Sequence, residues 1–94
     1  MVLFTIIDSS GKEIRLTKKQ WSHICEHAEM IGEMENIKET ILHSDTILIS
    51  PRDHFVHYYF RYYKEKRKYL LVAVKLLNGD GFIITSFYSS KIRI

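Results

Sequence analysis

Residues 55–88 read FVHYYFRYYKEKRKYLLVAVKLLNGDGFIITSFY, and this stretch decides the fold. Three segments rich in β-branched and aromatic residues are separated by two polar turns, Lys64 to Lys68 (KEKRK) and Asn78-Gly79-Asp80-Gly81. That composition favours strands over helices. The Asn-Gly and Asp-Gly steps supply the positive φ that tight hairpins need. A three-stranded antiparallel meander is expected, with the remainder of the chain as lid and flank.

A register follows from the turns. If Leu77 lies opposite Phe82, then Lys75 faces Ile84, Ala73 faces Ser86 and Leu71 faces Tyr88. A five-residue first turn sets Tyr63 opposite Tyr69, Arg61 opposite Leu71, Tyr59 opposite Ala73 and His57 opposite Lys75. Opposed side chains point the same way. One face then carries Leu70, Val72, Val74, Leu76, Ile83, Thr85 and Phe87 beside Val56, Tyr58, Phe60 and Tyr62, as a core floor. The other carries His57, Tyr59, Arg61, Tyr63, Lys75, Ser86 and Tyr88, as a wet, cationic, aromatic surface. A slip of one residue would exchange a strand's two faces.

Upstream, Val2 to Ile7 reads as a strand, Asp8 to Gly11 as a turn and Glu13 to Leu16 as a second strand. Thr17 is a good N-cap for a helix from Lys18, whose apolar stripe is Trp21, Ile24, Cys25, Ala28 and Ile31. Gly32 stands where a helix C-cap is expected. A second helix runs from Met34 to about His43, Thr46 to Ile49 reads as a strand, and Pro51-Arg52-Asp53 as a loop. The expected class is α+β: two short strands and two helices packed on one face of an antiparallel sheet.

At 94 residues the chain forms one domain with one core. No apolar run approaches the ~20 residues of a membrane helix, and the apolar start, MVLFTII, lacks the features of a leader. The single Cys25 excludes an internal disulfide framework and suits the cytoplasm. The net charge of +3 favours nucleic acid as a partner. Lys and Arg concentrate at 61–68, whereas acids gather between Glu26 and Glu39.

His23 and His27, four apart on the expected first helix, are neighbours on its surface beside the apolar stripe. Imidazole is the side chain best suited to proton exchange near neutral pH, so the pair can supply a base and an acid. Each alone also fits a plain solvated helix residue. A zinc site is not expected: no glutamate lies inside the HxxxH spacing and no third ligand is apparent. Lys75 interrupts the apolar run LLVAVKLL and must reach water or an anion. Beside His57 and Arg61, the natural anion is phosphate. Tyrosines of the meander, Tyr59 and Tyr63 among them, can stack bases, and Lys66 and Arg67 at the first turn add attraction for a polyanion. No Gly-rich phosphate loop, nucleophile elbow or zinc-knuckle spacing is present.

The run LTKKQWSHICEHAEM, an acidic helix, ILIS, a Tyr-rich strand, YLLVAVKLL and FIITSFY together resemble the phage-barnase-EndoU-colicin-RelE-like (BECR fold) nucleases. The likeness covers most of the chain. It rests on the W-x-H-x-x-x-H segment, the central strand ending in Val-Lys, and the closing strand. It implies N-terminal helices on a four-stranded antiparallel sheet and a metal-independent endoribonuclease of toxin or RNA-processing type, without cofactor. The implied partners are RNA and an acidic antitoxin or immunity protein. The catalytic positions carried over are His23, His27, Lys75, Thr85, Ser86 and Tyr88; relatives end the last strand in iTaY, where this chain has Ile84-Thr85-Ser86-Phe87-Tyr88. Beside the enzyme stands an alternative: a module of the same fold that binds RNA or a protein without catalysis.

Overall fold

In the computed structural model, which describes residues 1–93, every expected strand forms. The strands are β1 (Val2–Ile7), β2 (Glu13–Thr17), β3 (Thr46–Ile49), β4 (Val56–Tyr63), β5 (Lys68–Leu77) and β6 (Asp80–Ser89). They make a single sheet in the order β1-β2-β6-β5-β4-β3, and with two helices on it the fold is α+β. One pair departs from the antiparallel expectation: β2 runs parallel to β6, joining Glu13, Ile14 and Arg15 to Asp80, Gly81 and Phe82. The sheet is therefore mixed. Gly81 sits at that junction because a Cβ there would lie 2.7–2.8 Å from Leu76, Ile14 and Val74.

Both meander turns are shorter than the sequence suggests. Asn78 and Gly79 alone turn the chain, with φ of 52° and 87°, the left-handed pair that a two-residue hairpin requires. Asp80 already belongs to β6 and pairs with Leu77. The first turn has four residues, with Arg67 at positive φ and Tyr63 opposite Lys68. The register is accordingly one residue off the expected one along β4, so that Val56 faces Lys75 and Tyr59 faces Val72. Along β6 a bulge at Ile84 divides two registers: Ala73 pairs with Thr85 on one side and Val74 with Ile83 on the other.

These slips exchange the faces of β4 and of the end of β6. The helix-covered side buries Tyr59, Tyr63, Leu70, Val72, Val74, Ile83 and Tyr88 against Ile24, Met30, Ile37 and Ile41. The opposite side carries Tyr58, Phe60, Tyr69, Leu71, Ala73, Ile84 and Phe87 around a smaller cluster that Ile92 joins. His57, Tyr59, Arg61, Tyr63, Ser86 and Tyr88 thus lie on the covered side and Lys75 on the open one, contrary to the wet face expected to hold all seven.

Thr17 caps α1 (Lys18–Ile24) by accepting from Gln20 N–H at 3.2 Å. The helix stops at Ile24, about two turns short of the expected end at Ile31, with Cys25 as its cap. A single 3₁₀ turn (Ala28–Met30) follows, and it buries Met30 while leaving Ala28 and Ile31 exposed. The stripe expected over 21–31 is therefore cut after Cys25. Gly32 then takes φ +84° and leads into α2 (Met34–Leu42). Ile37, Thr40 and Ile41 face inward from α2, which packs across β4 and β5. No helix among the described residues is long and apolar enough to cross a membrane.

Candidate functional site

The parallel contact between β2 and β6 ends at Phe82, and the chain leaves β2 directly into α1. Beyond that point no strand among the described residues lies on the outer side of β6; α1 and the 3₁₀ turn lie along it instead. Gln20 reaches across and its Nε2 donates to the carbonyl of Ile84, at the bulge, over 3.3 Å. Lys19, Gln20, Ser22, His23 and Glu26 then border a hollow of about 350 Å³ with Ile84 as its floor. His23 is exposed, its Nδ1 3.8 Å from Glu26 Oε2. His27 follows in the extended residue before the 3₁₀ turn, also exposed, with its ring 6.5 Å from that of Phe87. The early end of α1 means that the two histidines are not stacked one turn apart; both still stand along β6.

Phe87 belongs to the open side, where it helps line a groove of about 460 Å³ with Tyr58, Leu71, Thr85, Ser89 and Arg93. The bulge is what aims these groups. It turns Thr85 toward the groove and Ser86 inward, where Ser86 is fully buried and its Oγ donates to the Leu71 carbonyl at 2.7 Å. The expectation of Thr85 in the core and Ser86 in water is thus reversed. Tyr62 and Tyr69 add an edge-to-face aromatic pair to the open side, with centroids 5.1 Å apart.

Lys75 lies on the same open side at the other end of β5, half-buried, where its ammonium is paired with Asp53. The bonds from Lys75 and from Phe55 N–H hold the Asp53 carboxyl below its ordinary range. The anion that lets a lysine interrupt LLVAVKLL is therefore an aspartate of the preceding loop, and neither His57 nor Arg61 shares its face.

Under the helices, the buried tyrosines reach acids. Tyr59 donates to Asp8 Oδ2 at 2.6 Å, and Asp8 Oδ1 accepts from Ser10 N–H, Ser10 Oγ and Lys12 N–H. Burial pushes the Asp8 carboxyl up, but these donors outweigh it and leave it below its ordinary value; burial and the same bond drive the Tyr59 phenol well above its own. Burial, and secondarily the charge of Lys12, lowers the pKa of His57 nearby. Tyr63 donates to Glu39 Oε1 at 2.9 Å and is pushed up to about 12, chiefly by burial. Tyr88 donates to Glu33, and burial first, then that carboxylate, raises its pKa. Arg61 Nη1 donates to the His43 carbonyl at 2.7 Å, while Nε sits 3.4 Å from Glu39 without the alignment to donate. Lys66 Nζ lies 3.9 Å from Glu33 and 5.2 Å from the Tyr88 ring; Arg67 is exposed in the turn.

Of the residues singled out from the sequence, the structure thus brings His23, His27 and Thr85 to one edge of β6. Lys75 stands apart from them. Tyr59, Tyr63, Ser86 and Tyr88 pack inside rather than line a surface, and Arg61 and Lys66 are engaged by acids. Gln20 shares the histidines' flank of the helix as the sequence implies, but nothing in the sequence signals that Lys19 borders the hollow with His23, or that Phe87, near His27, lines a groove with Tyr58 and Arg93. Among the described residues no three His, Cys, Asp or Glu side chains gather as a metal-binding group. Comparison with protein-family models, with curated proteins and with solved structures finds no match.

Proposed function

We propose that the chain is an endoribonuclease of toxin or RNA-processing type, acting at the outer edge of β6. The observation that carries this reading is the pair of exposed histidines along β6, beside a groove lined by Tyr58, Phe87, Thr85 and Arg93. The motif likeness to BECR-fold nucleases points to the same chemistry. One histidine takes the ribose 2′-hydroxyl proton, and the oxyanion attacks the adjacent phosphorus. The 5′-oxygen leaves as the other histidine protonates it, and a 2′,3′-cyclic phosphate remains. Each such proton transfer contributes roughly 10²–10⁴-fold. Arg93 and Lys19 offset charge developing on the phosphate, the term usually largest in sites of this kind. Tyr58 and Phe87 offer faces on which flanking bases stack. The route calls for no metal ion and no cofactor, and an acidic antitoxin or immunity protein is the partner that this reading implies.

Purified protein incubated with total RNA in excess EDTA tests this. Cleavage with 2′,3′-cyclic phosphate ends, lost on substituting His23 or His27, is the expected result. Strict dependence on Mg²⁺, or 3′-hydroxyl ends, overturns the mechanism. Salt-sensitive RNA binding without turnover instead identifies a binding module.

A further inference from the structure

The outer edge of the sheet at β3 carries four residues, Thr46-Ile47-Leu48-Ile49, with neither charge nor proline. Edge strands ordinarily carry such features, because their free N–H and C=O groups otherwise recruit another strand. Here Ser50 N–H donates to Val56 O, and the register that continues from this pair makes Leu48 with Tyr58 and Thr46 with Phe60 the hydrogen-bonded pairs of β3 and β4. By the alternation of an antiparallel ladder, the N–H and C=O groups of Ile47 and Ile49 point outward. Their side chains, on the helix side, are 42% and 56% exposed, and Leu42 at the end of α2 is exposed as well. The opposite edge, β1, differs: its register shifts between Val2 and Phe4, an irregularity that blunts an edge.

We propose that β3 pairs with β3 of a second copy of this chain, antiparallel about a two-fold axis at Leu48. The register is dictated by the free groups. With Leu48 opposite Leu48, Ile47 of each copy opposes Ile49 of the other, and both are outward-facing residues. They form two hydrogen-bonded pairs, hence four N–H···O bonds, and the helix faces of both copies lie on the same side. Four isoleucine side chains then shield one another from water, and Thr46 opposes Ser50. Asp45 of each copy comes to lie beside Arg52 of the other, opposite charges at both ends of the ladder. Centring the axis on Ile47 instead would set Asp45 against Ile49 and place the bond-forming groups of Ile49 opposite an N–H already given to Phe60 O. The outcome is a twelve-stranded continuous sheet. Because the contact is only one short strand wide, the dimer is reversible.

Sedimentation equilibrium across a wide concentration range, with three variants, tests this. The chain is expected to pass from monomer to dimer as concentration rises. Ile47→Lys should raise the dimer Kd more than about tenfold, since it removes apolar burial at two symmetric places, while leaving the melting temperature unchanged. Under mild oxidation Leu48→Cys should give a disulfide-linked dimer, because the pair on the axis is the closely spaced kind, with Cα atoms ~4.5 Å apart. Thr46→Cys should not cross-link. A chain that stays monomeric throughout, a dimer indifferent to Ile47→Lys, or cross-linking through Thr46→Cys in place of Leu48→Cys would each overturn the proposal.

Discussion

Tyr59→Phe removes a single hydroxyl from a side chain that is 1% exposed. That hydroxyl is the tie between β4 and the tip of the β1–β2 hairpin, through Asp8, itself only 5% exposed. A hydrogen bond to a charged acceptor contributes about 1.5–3 kcal/mol. Asp8 Oδ1 keeps its three donors, two from Ser10 and one from Lys12, so the carboxylate is not stranded and the loss falls in the lower half, about 1.5–2 kcal/mol. At roughly 4–8 °C per kcal/mol for a domain of this size, the melting temperature drops by about 6–16 °C. The pH dependence sharpens the test. Asp8 is held below its unfolded value of 3.8, so its contribution is present above that value and lost as pH falls through the lower folded one. Without Tyr59, burial still pushes the carboxyl up and one counteracting donor is gone, so the variant begins to lose stability at a higher pH. Once Asp8 is protonated in both proteins, the gap between them narrows. Urea unfolding followed through the lone tryptophan, Trp21, at pH 7 and near pH 2 reads both quantities. A gap unchanged between the two pH values would refute the charged tie, and a gap below about 0.5 kcal/mol at pH 7 would mean that this bond does not hold the hairpin.

Three further outcomes are expected. His23→Ala and His27→Ala each abolish RNA cleavage and leave thermal melts nearly unchanged, because both side chains are exposed; Trp21→Ala, half-buried against the core, costs less than the ~3–5 kcal/mol of a fully buried tryptophan. Gly81→Ala costs about 1–3 kcal/mol in chemical denaturation, since its Cβ meets three core side chains where β2 joins β6. Lys75→Met changes stability by less than about 1 kcal/mol by the same assay, the pair with Asp53 being partly exposed, and a loss above 3 kcal/mol would show Lys75 to be structural.

How much of this was legible depended on the range over which each signal acts. Strand composition, the Thr17 cap and the Asn78-Gly79 turn are local, and they appear where the sequence places them. The parallel pairing of β2 with β6 joins residues 67 apart in the chain, such as Glu13 and Asp80, through three residue pairs, and nothing in EIRLT distinguishes that partner from any other. Register is intermediate. The segment Asn78 to Gly81 contains two Gly steps, either of which can turn a hairpin, and the choice of the first moves Asp80 into the strand. The bulge at Ile84 has no Gly or Pro to announce it. Together with the four-residue first turn, it was enough to invert two strand faces.

The Tyr-rich strand shows what the inversion does to a site. In YYFRYY, Tyr58 and Tyr62 belong to the open side and Tyr59 and Tyr63 to the covered one. A buried phenol needs an acceptor, and the two inward tyrosines reach Asp8 and Glu39, from opposite ends of the chain's first half. The acids between Glu26 and Glu39 are therefore partly accounted for by the tyrosines and cations of β4–β6, Glu33 holding Tyr88 and Lys66 as Glu39 holds Tyr63 and Arg61. The same rule explains Lys75, whose need for an anion was plain from LLVAVKLL although the anion, Asp53, was not. Such reasoning identifies which side chains require a partner and leaves open which one they find. The histidines escape that ambiguity: neither is buried, and among the described residues the only acid paired with either is the exposed Glu26. Two exposed histidines along a strand edge, one beside a hollow and one beside an aromatic groove, are the observation on which the proposed site at β6 rests.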